Sequence, residues 1–545
     1  MKKYYSIKKE KMKVLLASIL ILFIALFTGH ISLAQAQYTL EWNNQEYNQV
    51  SSCAHPYSTE CQKVRLDSEN NLIFAGTSLE NDNYDFLVLK YTNNGTLLWK
   101  QQIDISNGSK DHITGVFIDT SDNIIITGVS KTSQYISKSV IIKLNKSGNV
   151  LWESDYSDEY SRSLPHDMEV DSLGNIFLIG TIDDGFYPHD IFVCKFDANG
   201  TFMWDTVYGP EDSTGYHGMT LKIIDDSIIS LGISFTSFPS DSRIVLLKHS
   251  LEGNLWSSNE TSYEGNFSES SHIDNAGNSY IGLFGDFKVI KYDPSGNELW
   301  QFEVPTNLPD NVTADEVHDI ITDSEGNVYI TGRHYGENYE NPSNYTNGDF
   351  QVNKISSEGN SIYSYRYENL GANAYDGGNK LFLGNNGYLV IGGESQYEEG
   401  GDTQYTAIVL DELGEPFDIV KYHEVGEDNA ITSVVMDNDL NFYVTGTLTQ
   451  KYKFTGTLDT DNFSKTEAKI KVYPNPFLNE FQIETKAISG MAEFILFDFK
   501  GSIVYRTSFE NIPQLTIDTQ SIPNGFYFYK LTYGDKFESG KLIKK

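Results

Sequence analysis

The sequence predicts an all-β chain: a β-propeller of about eight four-stranded blades, with seven as the alternative count, followed by a small immunoglobulin-like β-sandwich. Three observations carry that expectation. The first is a ten-residue frame, Asp323-Ser-Glu-Gly-Asn-Val-Tyr-Ile-Thr-Gly332, in which a polar turn enters an alternating apolar strand that stops at a glycine. It recurs at Asp67–Gly76, Asp119–Gly128, Asp171–Gly180 and Asp437–Gly446, with weaker copies ending at Gly232, Gly282 and Gly392. A fixed period of about 52 residues is the signature of a repeat architecture. The second is that each unit holds four strand signals. The third is the loss of the period after Gly456, where a denser run of short strands begins.

Taken in order, the chain opens with six lysines among residues 2–13, then the apolar run Val14–Phe27 and the small residues of Ala34-Gln35-Ala36. That run is short for a membrane span, so residues 1–36 read as a cleaved secretory signal peptide, leaving no membrane span in the mature chain. Met12 is an equally good start. Removing six Lys and one Glu with this segment takes the net charge from −35 to −40. So acidic a chain lacks the clustered cations that nucleic acid or an anionic membrane surface requires. Cys53 and Cys61 are spaced to staple a polar N-terminal loop in an oxidising compartment. Cys194, in Ile191-Phe-Val-Cys-Lys-Phe196, reads as a small core residue.

Residues 37–456 form the propeller array. One strand of each unit centres on an aromatic residue: Trp42, Trp99, Trp152, Trp204, Trp256, Trp300, then Tyr363 and Phe417. A second enters the Asp turn, a third ends at the glycine, and a fourth is an apolar run such as Asp85-Phe-Leu-Val-Leu-Lys-Tyr91. A four-stranded sheet cannot bury both faces alone, so successive sheets must stack, and radial stacking leaves only short edges. Thr39-Leu-Glu-Trp42 and Lys451-Tyr-Lys-Phe454 are half-units at the two ends, placed to complete one blade together. Residues 457–469 are a polar linker. Residues 470–545 carry about seven short strand signals with turns at Asp498-Phe-Lys-Gly501 and Pro523-Asn-Gly525, as a small sandwich requires.

Three resemblances follow from these motifs. Asp-Ser-x-Gly-Asn-Val-Tyr-Ile-Thr-Gly followed by Asp-Phe-x-Val-x-Lys resembles the secreted bacterial β-propeller repeat (SBBP), over roughly residues 38–457. The turn Leu144-Asn-Lys-Ser-Gly-Asn-Val-Leu-Trp152 is also similar to the tryptophan-docking turn of quinoprotein propellers. The C-terminal module resembles the type A sorting domain of the type IX secretion system. Tyr473-Pro474-Asn475-Pro476, the turn from Asp498 to Gly501, Gly525 and Tyr527, and the basic end from Lys541 carry the match. This resemblance implies Sec and type IX export, with the secretion machinery as partner and the cell surface or the medium as destination.

No catalytic set emerges. Gly-x-Ser-x-Gly, His-Glu-x-x-His and Walker-type loops are absent from the sequence. Asp225-Asp226 and Glu398-Glu399 are neighbours in polar turns, and adjacent residues of an extended chain point to opposite faces. Asp437-Asn-Asp-Leu-Asn441 begins like an EF-hand loop, but its sixth position is Phe442 and its twelfth Leu448. Asp and Asn capping their own turns account for the repeat better than calcium, the one cation such turns would take; no other cofactor is expected. His166 and His318 occupy equivalent places five residues before the turn Asp, matched by Gln62, Thr114, Gly218, Glu269, Gly378 and Thr432. That ring is the candidate ligand site, at one mouth of the channel. The insertions Arg333–Asp349 and Gly392–Thr406, the latter with Tyr397 and Tyr405, are a second place for a ligand. The reading is a non-catalytic propeller that binds a glycan or a protein. Its rivals are a polysaccharide-active or quinoprotein enzyme, the latter lacking an adjacent cysteine pair, and a structural spacer.

Overall fold

The computed structural model describes residues 37–44, 62–80, 83–105, 110–133, 136–156, 162–183, 189–209, 214–237, 241–261, 267–305, 315–334, 348–369, 376–397, 402–424, 429–446, 448–455, 472–475, 477–484, 490–497, 503–512, 514–520, 522–533 and 536–545. The signal segment, Cys53, Cys61, Pro476, Asp498 and Gly501 lie outside these residues. The chain divides into two compact units between Thr455 and Gly456.

The first unit is a β-propeller of eight blades. Blade four shows the plan: Gly215–Ile224, Ser227–Ser237, Asp241–Ser250 and Leu255–Glu260 pair antiparallel in chain order. The first strands of the eight blades are Lys63–Leu66, Lys110–Ile118, Arg162–Val170, Gly215–Ile224, Phe267–Ile273, Asp315–Thr322, Asp376–Leu383 and Ser433–Met436. Each packs against the first strand of the next blade, and the last against the first, so they close a ring around a channel. Blade eight takes three strands from the end of the array and its outermost strand, Tyr38–Asn44, from the beginning. The Asp418 carboxylate fastens this closure, accepting bonds from the backbone N–H of Gln37 at 2.7 Å and Tyr38 at 2.8 Å.

Apolar side chains of adjacent blades interlock to make the core. Phe177, Ile179 and Val193 of blade three meet Leu221, Val245 and Leu247 of blade four, all fully or nearly fully buried. At the outer rim the tryptophans perform the docking that their turn motif resembles. Trp204 lies over Gly253 of the next blade and its indole N–H donates to Leu251 O at 3.1 Å. Trp42, Trp99, Trp152 and Trp300 do the same over Gly95, Gly148, Gly200 and Gly359. Those glycines have φ between +80° and +88°, and a Cβ there would strike the indole.

Two of the expected aromatics are displaced by one residue. Trp256 is 55% exposed. The bulge after Lys248 is shared with the other blades, but Trp256 follows Gly253 by three residues where Trp204 follows Gly200 by four. Ser257 therefore stands opposite Lys248 in the docking place, and a one-residue slip turns a side chain to the other face. Asn259 takes over that junction, donating to Ser295 O. In blade seven Asp418, not Phe417, holds the equivalent place opposite Val409, and the closure clamp follows from that.

Two closing glycines are likewise one residue off. In blade seven the glycine facing the first strand is Gly393, whose Cβ would meet Gly377 O, rather than Gly392. In blade five, counted from the turn Asp274, Leu283 holds that place instead of Gly282. The first strand detours between Phe267 and Ser271, which makes room for it.

The repeated Asp closes its own turn. In Asp323–Asn327 the Oδ1 accepts from Glu325 N and Asn327 N, both at 2.9 Å, and Oδ2 accepts from Asn327 Nδ2 at 2.8 Å. The same set recurs at Asp67, Asp119, Asp171, Asp274 and Asp437. Cys194 is fully buried in the core of blade three, and burial pushes its thiol pKa up.

Among the described residues the second unit is a sandwich of seven strands. Val472–Tyr473, Glu480–Glu484 and Gln514–Asp518 make one sheet. Ile503–Glu510, Met491–Phe497, Gly525–Tyr533 and Lys536–Lys544 make the other, in that order. Phe477, Phe481, Ile483, Phe494, Leu496, Tyr527, Leu531 and Leu542 fill the space between them. Of the sorting motif, Asn475 pins the last strand: its Nδ2 donates to Lys541 O at 2.7 Å and its Oδ1 accepts from Ile543 N at 2.9 Å. Tyr473 and Pro474 lead the chain into this clamp, Tyr527 is buried with its hydroxyl on Pro523 O, and the Lys541 side chain is exposed. A Cβ at Gly525 would meet nothing within 4 Å.

Candidate functional site

The channel is built by the first strands, and a β-bulge re-aims five of them. The unpaired residue is Thr114, His166, Met219, His318 and Asn379 in blades two, three, four, six and seven. Gln62 and Thr432 hold the same place in blades one and eight; the Glu269 side chain lies outside the described residues. The positions matched in sequence at Gly218 and Gly378 are therefore occupied by their neighbours Met219 and Asn379. Blade four is out of step because its first two strands join through the tight turn Asp225-Asp226, and blade seven because its closing glycine is Gly393.

Four of these side chains reach the next blade. His318 donates from Nδ1 to Gly378 O at 2.9 Å, Asn379 Nδ2 to Ile431 O, and Thr432 Oγ1 to Gln62 O. Gln62, Thr114, His318, Asn379 and Thr432 are buried, while His166 is partly exposed. Thr114 Oγ1 lies 3.3 Å from Thr127 Oγ1. His166 and His217 stack with ring centroids 4.2 Å apart, and Thr181 Oγ1 lies 3.3 Å from one ring and 3.1 Å from the other. Burial holds the His166 pKa well below its ordinary value and His217 at about 4, so both rings are neutral near pH 7. Blade-to-blade stapling is thus the direct role of His166, His318, Asn379 and Thr432.

The next rung faces the channel. It consists of Lys63, Gly115, Asp167, Thr220, Ser270, Asp319, Lys380 and Ser433, most of them placed by the same pairing just beyond the bulge. Asp167 Oδ2 accepts from Thr220 Oγ1 at 2.6 Å and from Leu221 N at 3.2 Å. Asp319 accepts from Leu381 N at 2.8 Å and pairs with Lys380 at 3.4 Å. Two residues further along, Lys222 pairs with Glu169 at 2.9 Å, His272 Nε2 lies 2.9 Å from Thr322 Oγ1, and Arg65 donates to Val64 O. Burial raises the Asp167 pKa and lowers that of Lys63 to about 7. Sequence reasoning missed this rung. Its signal was the repeated His-Asp dipeptide at 166–167 and 318–319, with lysines at 63 and 380.

Elsewhere, Tyr405 is buried and bonds Leu448 through its hydroxyl, so it is no exposed aromatic. Tyr397 is exposed and stacks flat on His423 at 3.7 Å. Residues 335–347 of the longest insertion lie outside the described residues. Among the described residues, the carboxylates of Asp85, Asp104 and Asp111 offer oxygens within 4.8 Å of one another at the junction of blades one and two. There Asp111 caps Ile105 N and Asp85 accepts from Gln102. Also among them, no helix is long and apolar enough to cross a membrane.

Comparison with known structures returns propeller-rich likenesses of low identity. They include the WD40 domain of SCAP from fission yeast (10% identity, TM-score 0.42, covering 77% of this chain and 98% of that one). The polysaccharide lyase Uly1 matches at 10% identity and TM-score 0.40, over 70% and 98% of the two chains. YCF48 from Cyanidioschyzon merolae matches at 8% and 0.38, over 63% and 96%. Matches at this level carry no argument about activity, and the propeller assignment rests on the sheet topology above. No curated protein matches the chain. Residues 471–545 match the family model described as a secretion system C-terminal sorting domain. The second unit is that sorting domain, and it indicates that the β-propeller is secreted through the type IX system.

Proposed function

We propose that this protein is a secreted or surface-displayed, non-catalytic binding propeller that takes a glycan or protein ligand at its channel, after a signal peptide and the sorting domain have exported it. One observation carries the reading. The docking and turn positions repeat nearly unchanged from blade to blade, whereas the channel rung holds Lys, Gly, Asp, Thr and Ser at equivalent places. Fold maintenance asks for the same residue in every blade; a single asymmetric ligand asks for different ones.

The test is a thermal-shift panel of glycans, peptides, calcium and a quinone against the full chain. A ligand bound only by the folded state raises its Tm by mass action. The expected result is a shift from a glycan or peptide that Thr220→Val or Asp319→Asn abolishes. A turnover activity lost with the same variants would replace binding by catalysis, and no shift by any member would favour a spacer.

A further inference from the structure

The channel rung contains four charged residues, and three of them have partners. Asp167 is held by Thr220 and Leu221, and Asp319 and Lys380 hold each other. Lys63 makes no hydrogen bond or ion pair among the described residues. One of its neighbours in the ring is Gly115, which has no side chain to offer, and the other is Ser433, whose hydroxyl is taken by Val64 N. Two residues along the same strand, on the same face, Arg65 donates to Val64 O and to no carboxylate. The rise of a strand puts these two cations about 7 Å apart.

Both are exposed in part or in full, yet surrounding protein desolvates them strongly enough to lower their pKa. Groups that touch solvent while walled by protein line a channel. The charged groups that Lys63 feels are Lys380, Arg65, Asp319 and Asp167; the two cations disfavour its charge and the two carboxylates favour it. The position itself does not demand a cation, because Gly115, Thr220, Ser270 and Ser433 fill it in other blades. An unneutralised cation in such a place is costly. Among the described residues no hydrogen bond or ion pair joins either cation to a carboxylate, which leaves the pair open to an anionic group from outside the chain.

Resting on the channel-binding reading above, we propose that Lys63 and Arg65 form a seat for an anionic oxygen group of the ligand, either a uronate carboxylate or a phosphate. Lys63 supplies a point charge, and the Arg65 guanidinium supplies the planar fork that fits two oxygens of one group.

Calorimetric titration of the full-length chain with galacturonate, inorganic phosphate and galactose tests this. At pH 6.5 galacturonate or phosphate binds and galactose does not, and the tighter of the two identifies the anion. Lys63→Gln and Arg65→Gln each weaken that binding by about tenfold or more, the loss expected for a hydrogen bond to a charged group. Lys146→Gln, on an outer turn, leaves it unchanged. Raising the pH to 9 weakens binding as Lys63 deprotonates. In ¹³C-dimethylated protein the Lys63 resonance titrates near neutrality and moves to higher pH when the anion is added. The Tm of the variants shows that they fold. Galactose binding as well as galacturonate, with Lys63→Gln silent, overturns the anion seat but leaves a channel ligand standing. Failure of both anions to bind overturns the seat, and only an empty thermal-shift panel would count against the channel-binding reading as well.

Discussion

The outer rim and the channel wall of the propeller are built from the same repeat, yet they differ in what varies. At the rim, a tryptophan over a left-handed glycine recurs at five blade junctions, and Asp turns recur in six blades with nearly the same bond lengths. On the channel wall, equivalent positions carry opposite charges or no side chain at all. Repetition marks what every blade junction needs, and variation marks what the ring as a whole does. The rim has its own exceptions, Trp256 and Asp418, and each has a local cause.

The largest test of this contrast is at the rim. Trp204→Ala removes an indole that packs on Gly253 and bonds Leu251 O, and should cost about 3 kcal/mol in the urea unfolding of the propeller. Trp256→Ala should stay within about 0.5 kcal/mol, because that ring is exposed. Equal effects would mean that the docking geometry is not what holds neighbouring blades. Next comes the closure. Asp418→Ala leaves the Gln37 and Tyr38 N–H groups without their carboxylate and should cost about 2 kcal/mol, with faster proteolysis of the N-terminal strand. An unchanged unfolding curve would show that the strand pairing of blade eight closes the ring unaided.

The smallest effect depends on pH. His166, His217 and His249 have pKa values below the unfolded value of about 6.5, two of them at about 4, because burial disfavours the cation. The unfolded chain therefore binds more protons than the folded one below pH 6.5. Their contribution is complete above pH 6.5 and is lost as pH falls toward 4. Asp376, raised to about 7 by burial, works in the opposite sense over the same range, since its neutral form is favoured in the fold. The net expectation is a Tm that declines by roughly several degrees from pH 6.5 to 4. His217→Leu should flatten part of that decline, and a slope identical to the parent protein would remove the His166–His217 contact from the account.

Much of the fold was legible in the chain because its signals are local. An Asp that caps its own turn, a glycine forced by a positive φ and an alternating strand need only their neighbours, and eight copies made the period visible. The sorting domain was legible for a similar reason, with several short motifs in a fixed order. One-residue errors entered at Trp256 and Phe417, which follow their turn glycine by three residues where Trp99, Trp152, Trp204 and Trp300 follow by four. They entered also at Gly282 and Gly392, where a detour of the first strand and a doubled glycine shift the place that faces it. The candidate ring was found at His166 and His318 but misjudged in direction, because a bulge decides which way a side chain points and leaves no mark in the spacing.

The amino-acid sequence by itself indicated about eight blades, with seven the alternative, and determined the turn chemistry, the acidic character and the C-terminal sorting signal, each carried by residues close together in the chain. Only the tertiary structure decided which residues share the channel. Lys63, Asp167, Asp319 and Lys380 come from four blades and up to 317 positions apart, and their neighbourhood exists only once the ring closes. Whether a lysine has a counter-ion is a property of that closed ring, since its partner would come from the next blade rather than from the next residue.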